Sequence, residues 1–350
     1  MTQLSTPAPS ASPPSPPVPP RLRRARDVLG GPQNLSLLGA LLAVLLVFGA
    51  LNPAYLSWSN LAVIGVAATI PALLAVAQTL VIVCGGIDIS VGSQAGLAAV
   101  VSAMVFAGTG DGLSGGSAPI AVGVAVLAGV ACGVLNGVII VYGRVNAIIA
   151  TLAMLAAYKG LAQLVSGGRA QGYLHGDDLF LFVARGKIAG LPVMVWILAL
   201  VAAAIHVLLR YTDIGRNVYA IGGNAVAARL AGIHLNRYVI SVYAVMGAVA
   251  AVAGVILAAR TGSGQPTAGS EGLELKAITA AFLGGCAIAG GRGGVGGTLM
   301  AVAILSALDN GLTVVGVNPF WQNVAQGGLL VVAVVVQQRR AGVRAVGLPS

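Results

Sequence analysis

The sequence predicts an all-α membrane protein, a polytopic bundle of about ten transmembrane helices with both termini in the cytoplasm. Hydrophobic residues make up 57% of the 350-residue chain and charged residues only 8%, whereas a soluble domain carries about 25% charged residues. The mean hydropathy is +0.94. The apolar residues form long aliphatic runs without alternation, which favours helices that satisfy their own backbone hydrogen bonds over the strands of a barrel.

The chain divides into two tails and a membrane domain. Residues 1–34 carry eight prolines among the first 20 positions and then a basic segment, which is typical of a disordered cytoplasmic tail. Residues 35–337 form the transmembrane domain, and residues 338–350 form a short cytoplasmic tail. A span needs about 20 apolar residues. The predicted spans are 35–51, 59–83, 89–107, 118–142, 146–166, 191–209, 238–259, 273–290, 294–315 and 320–337.

Basic residues set the orientation, because Lys and Arg concentrate in cytoplasmic loops. With the N-terminus inside, four basic residues lie outside: Arg169, Arg185, Lys187 and Arg260. Thirteen lie inside, namely Arg21, Arg23, Arg24, Arg26, Arg144, Arg210, Arg216, Arg229, Arg237, Arg292, Arg339, Arg340 and Arg344. The net charge of +10 therefore indicates cytoplasmic loops and the lipid surface rather than nucleic-acid binding.

A polar stretch, DIGRNVYAIGGNAVAARLAGI at residues 213–233, separates the sixth and seventh spans. Its second half predicts a short helix, in which Asn224 is a suitable N-cap and Gly232 a suitable C′ residue. A helix this short needs a partner to cover its apolar face. It is either a loop helix that packs on its own bundle or a docking helix for a cytoplasmic protein. The apolar face at helical spacing consists of Val226, Leu230 and Ile233.

Three further segments accompany this stretch: TLVIVCGGIDISVGS at 79–93, VNAIIATLAMLAAYKGLAQLVSGG at 145–168, and the block 272–336 that begins GLELKAITAAFLGG. Together with GRNVYAIGGNAVAARLAGI, they resemble the permease subunits of bacterial ATP-binding cassette importers of the ribose/xylose/galactose type. The resemblance covers nearly the whole chain after residue 35. It implies import of a simple sugar that an extracytoplasmic binding protein delivers, and a pore formed by two copies or by one copy with a close relative.

The resemblance also implies that the stretch 213–233 is the cytoplasmic coupling loop, which docks into a cleft on a separate ATPase subunit. The family usually has acidic residues just after the Asn, where this chain has Ala225 and Val226. That departure bears on which ATPase the loop pairs with. The coupling residues are Gly215, Arg216, Tyr219, Gly222, Gly223, Asn224, Val226, Ala228, Arg229, Leu230 and Gly232.

Polar residues within or near the spans are candidates for the solute pathway. Asp88, expected at the cytoplasmic end of the hairpin between spans two and three, either caps the third span with Ser90 or lines the pathway, and both roles are compatible. Sugars need neutral hydrogen-bonding groups, although helix–helix hydrogen bonding explains any single residue equally well. The candidate pathway residues are Gln78, Asp88, Ser90, Asn136, Asn146, Thr151 and Asn310; Lys159 is a further polar position.

The remaining motifs indicate no chemistry on this chain. The sequence GRGGVG at 291–296 matches a dinucleotide fingerprint but lies between two apolar spans, so it predicts a tight turn. No P-loop motif occurs, so we expect no cofactor on this chain and ATP on another polypeptide. His175, Asp177 and Asp178 lie in an outward loop, and we expect a solvated surface there rather than a metal site. We expect three buried free thiols, at Cys84, Cys132 and Cys286.

Two other classes of function remain alternatives. An ion-coupled secondary transporter would use intramembrane carboxylates, for which Asp88 and Asp309 are the near-span candidates, with Glu271 and Glu274 at an outer edge. A membrane-embedded enzyme is less compatible with the sequence, because no His/Asp/Glu cluster lies inside the spans. An importer of the same type for nucleosides or a furanone-type signalling sugar is a further alternative.

Overall fold

The computed structural model describes residues 32–108, 117–172, 174, 177–267, 270–318 and 320–341. These residues form thirteen α-helices, one 3₁₀ helix (Pro53–Leu56) and a small antiparallel hairpin of β1 (Lys187–Ile188) and β2 (Leu191–Pro192). The helices are α1 (Pro32–Leu51), α2 (Trp58–Val83), α3 (Val91–Gly108), α4 (Ala118–Tyr142), α5 (Ala147–Ser166), α6 (Asp178–Arg185), α7 (Val193–Tyr211), α8 (Asp213–Gly223), α9 (Ala225–Leu230), α10 (Leu235–Thr261), α11 (Leu273–Leu283), α12 (Val295–Val314) and α13 (Phe320–Ala341).

The helical bundle confirms the predicted fold class. Eight of the described helices are long and apolar enough to cross a membrane: α1, α2, α3, α4, α5, α7, α10 and α12. They correspond to eight of the ten predicted spans. The tenth predicted span, 320–337, lies within the 22-residue helix α13. The predicted tails 1–34 and 338–350 fall almost entirely outside the described residues.

The eighth predicted span, 273–290, is not one continuous helix. Helix α11 ends at Leu283 after 11 residues, about 16 Å at the helical rise and roughly half of the apolar thickness of a bilayer. The apolar pattern continues beyond it, but glycines end the helix: Gly285, Gly290 and Gly291 all have positive φ. A hydropathy pattern does not register this break, because glycine reads as apolar while favouring turns.

Helix α10 lies at the centre of the bundle, in contact with α2, α3 and α4. Its contact with α4 is close enough to require glycine, because a Cβ at Gly129 or Gly133 would collide with the backbone of Gly247 or Tyr243. Small residues at such contacts let backbones approach in a lipid environment, where no hydrophobic force drives helix association. The main apolar core therefore forms around α2 and α10 and extends to α7, α11 and α12.

Two non-helical segments run at membrane depth. Residues 84–90 turn back into the bundle after α2, since the Gln78 side chain pairs with the backbone of Asp88. Residues 262–267 and 270–272 run back along α3 from the end of α10, with Ser270 against Gly92 and Gly96. Irregular backbone at this depth is tolerated only where protein buries it or it lines a cavity. Both segments are therefore natural places to look for function.

Candidate functional site

Helix α8 is fixed to one end of the bundle, which we name the α8 end. Val218 and Ile221 of α8 are buried in the main core, and burying side chains of this size contributes about 2 kcal/mol each. Gly222 packs directly on the Val83 carbonyl at the end of α2. The Tyr219 hydroxyl donates a hydrogen bond to the Gly293 carbonyl at 2.8 Å. Burial raises the pKa of the Tyr219 phenol, which keeps it a neutral donor.

The glycine-rich turn 284–294 completes this attachment. The Gly291 amide donates to the Val83 carbonyl at 2.9 Å, and Gly290 packs between Gly85 and Gly222. Helix α8 therefore joins the end of α2 to the connection between α11 and α12. A displacement of α8 would move both attachments together.

Helix α9 is formed as the sequence predicts. The Asn224 side chain caps it, accepting from the Val226 and Ala227 amides at 3.1 and 3.0 Å. At the other end Gly232 has φ +84°, and its amide donates to the Arg229 carbonyl at 3.0 Å. Both predicted caps are confirmed. The polar stretch 213–233 differs from the prediction in one respect: its first half is also helical and forms α8.

One face of α9 is open. Val226 is 71% exposed and Leu230 is 84% exposed, while Ala228 on the opposite side is buried against the bundle. Among the described residues, nothing covers Val226 and Leu230. Beside this face lies an open groove of about 680 Å³. The basic or potentially basic groups in its lining are Arg229, His234 and Arg237.

The eleven predicted coupling residues therefore divide into two groups. One group anchors α8 or shapes the chain: Gly215, Tyr219, Gly222, Gly223, Asn224, Ala228 and Gly232. The other group, Arg216, Val226, Arg229 and Leu230, is exposed. The Arg216 guanidinium pairs with Asp213 on the surface, where an ion pair contributes little stability.

Asp88 lies at the centre of a buried polar network. One carboxylate oxygen accepts from the Ser90 amide at 2.8 Å and the Ser90 hydroxyl at 2.6 Å. The other accepts from the Gln94 and Asn136 amides at 3.1 and 3.2 Å. The side chain is completely buried. Asp88 thus bonds the amide of Ser90, the residue before α3, rather than an amide of the helix itself, and both its oxygens are occupied by donors within the protein.

The position of Asp88 differs from the expected one. The residue lies beside Gln78, five residues before the end of α2 and so about 7 Å inside the bundle. Gly85, with φ +95°, turns the chain back after α2. The expectation of a residue at the hairpin end was wrong, because the sequence shows a break between two spans but not that its residues fold inward.

The other candidate pathway residues lie in three places. Thr151 joins the network by donating to the Ile87 carbonyl at 3.3 Å. Asn146 is the N-cap of α5 and is not part of the network. Asn310 accepts from Asn60 at 2.9 Å on the far side of α2. Five of the seven residues are thus brought together: Gln78, Asp88, Ser90, Asn136 and Thr151.

Asn310 lines a separate polar cavity of about 260 Å³ between α2, α11, α12 and α13. Lys276 and Asp309 form an ion pair there at 3.1 Å. Gln326 donates to both Asp309 oxygens, at 3.1 and 3.3 Å, so the carboxylate is fully engaged. Pro71 also lines this cavity.

A second polar cleft, of about 170 Å³, lies between α3, α5 and residues 266–267 and 270–274. Lys159 donates to Glu271 at 2.6 Å across it. Neither this ion pair nor the Lys276–Asp309 pair was predicted. The sequence did contain a signal for these ion pairs, namely charged residues of opposite sign in otherwise apolar runs. Isolated charges at membrane depth need partners.

The outward loop and the cysteines are the remaining predicted features. Asp177 caps α6 by accepting from the Leu179 and Phe180 amides, while His175 lies outside the described residues. Within the described part of the chain, no group of three metal-ligating side chains occurs. The three cysteines are buried thiols that form no disulfide, as expected.

A bundle of apolar helices long enough to span a membrane, with polar clefts between them and a short helix that has an open apolar face, is the architecture expected of a transport permease. The chain belongs to the family described as the branched-chain amino acid transport system permease component, which matches residues 60–334. It is thus a multi-pass membrane protein whose work is transport rather than catalysis.

Individual relatives are similar over most of their length. The ribose import permease protein RbsC of Escherichia coli (strain K12) is 39% identical over 303 residues, 86% of this chain and 92% of the relative. RbsC of Bacillus subtilis (strain 168) is 37% identical over 87% of this chain and 92% of its own. The L-arabinose ABC transporter permease protein AraH of Azospirillum brasilense is 33% identical over 87% and 88%. No solved structure matches the chain.

Proposed function

We propose that the chain is the membrane-spanning subunit of an ATP-binding cassette importer for a simple sugar, with a pentose as the first solute to test. The ribose and arabinose permeases among its relatives support the sugar class. The exposed Val226 and Leu230 on a helix too short to stand alone carry the proposal of an ATPase partner. ATP binds that partner, and this chain needs no cofactor of its own.

The partners follow from the same proposal. The ATPase subunit docks on α9 from the cytoplasm, and acidic side chains on it would complement Arg229, His234 and Arg237. An extracytoplasmic sugar-binding protein delivers the solute at the opposite end of the bundle. A second copy of the chain, or a close relative, completes the pore, and both termini lie in the cytoplasm.

The attachments of α8 provide a route from ATPase closure to the spans. Pulling on α9 moves α8 and, through Gly222, displaces both the end of α2 and the 284–294 turn. Residues 84–90, which include Asp88, come directly after the end of α2 and would move with it. Its hydrogen-bond network is suited to move as one unit, since every oxygen of Asp88 is held.

The test combines uptake with partner capture. Cells carrying the chain with its neighbouring ATPase and binding protein are given labelled pentoses, hexoses and nucleosides. We expect Arg229→Glu plus Leu230→Asp to abolish uptake and ATPase co-purification while membrane levels, checked by blot, stay normal. The matched control is Arg185→Glu plus Leu179→Asp on α6, whose exposed residues lie at the other end; it should retain the ATPase.

The same experiment separates the alternatives. Uptake that survives the α9 variant and collapses with the proton gradient would indicate an ion-coupled transporter, with Asp88 and Asp309 as the next residues to test. Uptake of a nucleoside or a signalling sugar in place of pentoses and hexoses would keep the importer and change the solute.

A further inference from the structure

The cleft between α3, α5 and residues 266–267 and 270–274 contains polar groups to which the proposed function gives no role. Its volume is about 170 Å³. Three ionisable side chains line it, together with hydroxyl groups from two elements. The lining polar residues are Ser93, Lys159, Thr267, Ser270, Glu271 and Glu274.

The cleft lies at membrane depth. Lys159 is seven residues from the end of the spanning helix α5, about 10 Å along its axis, and about 18 Å from its start. Ser93 is the third residue of α3, which begins inside the bundle beside the Asp88 network. A Cβ on its neighbour Gly92 would collide with Glu274 and with the Ser270 carbonyl. These contacts place Glu274 and Ser270 at the same inner level.

The charged groups of the cleft are nevertheless exposed. The Lys159 and Glu271 side chains are 40% and 63% exposed although they pair at 2.6 Å. A charge at this depth cannot face hydrocarbon without a large cost, so such groups face a water-filled space or a polar partner. Neither group can therefore face hydrocarbon, and water is the partner that requires no second protein chain.

The cleft also holds unused hydrogen-bonding capacity. One Glu274 oxygen accepts a hydrogen bond from the Gly272 amide, and one Glu271 oxygen accepts from Lys159. Among the described residues, their other oxygens, the Thr267 hydroxyl and two of the three Lys159 N–H groups have no recorded hydrogen-bond partner. Both oxygens of Asp88 and both oxygens of Asp309 accept hydrogen bonds by comparison.

The charge balance selects the class of ligand. Two carboxylates and one ammonium leave the cleft with a net charge of −1, which disfavours phosphorylated or carboxylate solutes. Lys159 at the centre disfavours a metal cation. Adjacent donors and acceptors suit neighbouring hydroxyl groups, each of which donates to a carboxylate and accepts from an ammonium.

We propose that this cleft is the site at which the transported solute, a neutral polyhydroxy compound, is held within the membrane. Glu274 and Glu271 accept from its hydroxyl groups, and Lys159 and Thr267 donate to them. The proposal rests on the proposed function for the identity of the solute, but not for the presence of water in the cleft.

Thiol accessibility tests the water-filled cleft independently of transport. The three native cysteines are buried, so a charged methanethiosulfonate reagent gives little background. In the assembled transporter, we expect Thr267→Cys to be modified and protected by D-ribose. The matched control Ser102→Cys lies on α3 but is fully buried and should not react. An unreactive Thr267→Cys, in a protein present at normal membrane levels, would overturn the proposal.

Uptake of labelled D-ribose tests the contacts with the solute. We expect Lys159→Met and the isosteric Glu274→Gln each to reduce the maximal rate about tenfold or more, the factor expected for one charge-assisted hydrogen bond. Lys187→Met, the same change on the exposed β1 strand, should match the wild type. Glu274→Gln keeps the Lys159–Glu271 pair, so it remains informative where Lys159→Met fails to fold.

The outcomes separate the two proposals. A wild type that takes up no sugar, with Thr267→Cys still reactive, would overturn the proposed sugar and leave the cleft as a water-filled site. Normal uptake by both Glu274→Gln and Lys159→Met would overturn the cleft as the solute site while the importer stands. Loss of uptake with Lys276→Met alone would move the solute site to the neighbouring 260 Å³ cavity and equally overturn the proposal.

Discussion

At the scale of single residues, Asp88 shows how a carboxylate is accommodated at membrane depth without a cation beside it in the described structure. Four donor groups surround its two oxygens. The Ser90 hydroxyl accepts a hydrogen bond from Asn136 at 2.9 Å and donates its own hydrogen bond to Asp88. The hydrogen bonds that the Ser90, Gln94 and Asn136 side chains donate therefore run toward the carboxylate.

This directionality predicts the effect of Asp88→Asn. The new amide would place a donor against donors, leaving at least one buried group unpaired at a cost of roughly 1–3 kcal/mol. We expect a lower midpoint of thermal unfolding in detergent. Asp178→Asn, at an exposed position in the first turn of α6, should leave the midpoint unchanged. An unchanged midpoint for Asp88→Asn would mean that the network does not contribute to stability.

Single residues are also where the sequence reasoning was weakest. It selected Gln78, Asp88, Ser90, Asn136 and Thr151 as polar, and they do come together, but it did not foresee that they would be buried. Polarity can be read from the chain, whereas burial depends on which segments fold inward. It also missed Gln94, which donates to Asp88 and Ser90, and Tyr158, which donates to Asn136, because neither differs from an ordinary polar helix residue.

At the scale of helices, the contact between α4 and α10 depends on backbone proximity. A Cβ at Gly133 would collide with the Tyr243 carbonyl and separate the two helices. We expect Gly133→Ala to destabilise the bundle by roughly 1–3 kcal/mol, as overpacking does, and to lower the unfolding midpoint. The control on the same helix is Gly123→Ala, which meets open space. Equal midpoints for the two variants would show that the helices can adjust.

Helix α9 allows a test of local helix stability. Asn224→Ala removes the cap on two amides and should cost about 1 kcal/mol of helix stability. We expect amide hydrogen exchange in residues 225–230 to increase about fivefold. Asn224→Asp, an equally good N-cap, should exchange like the wild type. Exchange in Asn224→Asp as fast as in Asn224→Ala would show that the contact of Ala228 with the bundle, rather than the cap, holds α9.

The helices themselves were largely predictable, and the reason is physical. A spanning helix must be apolar along some 20 residues, and caps such as Asn224 and Gly232 have local signatures. The exceptions, α8 and α11, depend on tertiary structure. Helix α8 is stabilised by burial of Val218 and Ile221 rather than by its own sequence, and α11 ends at glycines that hydropathy counts as apolar.

At the scale of the whole molecule, the interruption of the eighth predicted span, 273–290, bears on the membrane topology. Residues 262–267 and 270–272 lead inward from the end of α10, and α11 continues until the 284–294 turn reaches the α8 end. An irregular segment and an 11-residue helix thus take the place of one span. The chain then passes from one end of the bundle to the other at this point, just as a complete span would make it do.

This equivalence predicts the side on which each loop lies. We expect fluorescent-protein fusions after residue 234 and residue 350 to be active in the cytoplasm, and alkaline phosphatase fusions in the loop 167–190 and at Gly316 to be active outside. A cleavage site for tobacco etch virus protease, inserted into the 284–294 turn, should be cut only by protease added on the cytoplasmic side. Phosphatase activity at residue 350 would contradict the topology. It would mean that residues 262–283 enter and leave on the same side, so that Lys276 and Glu274 would be reached from the opposite face of the membrane.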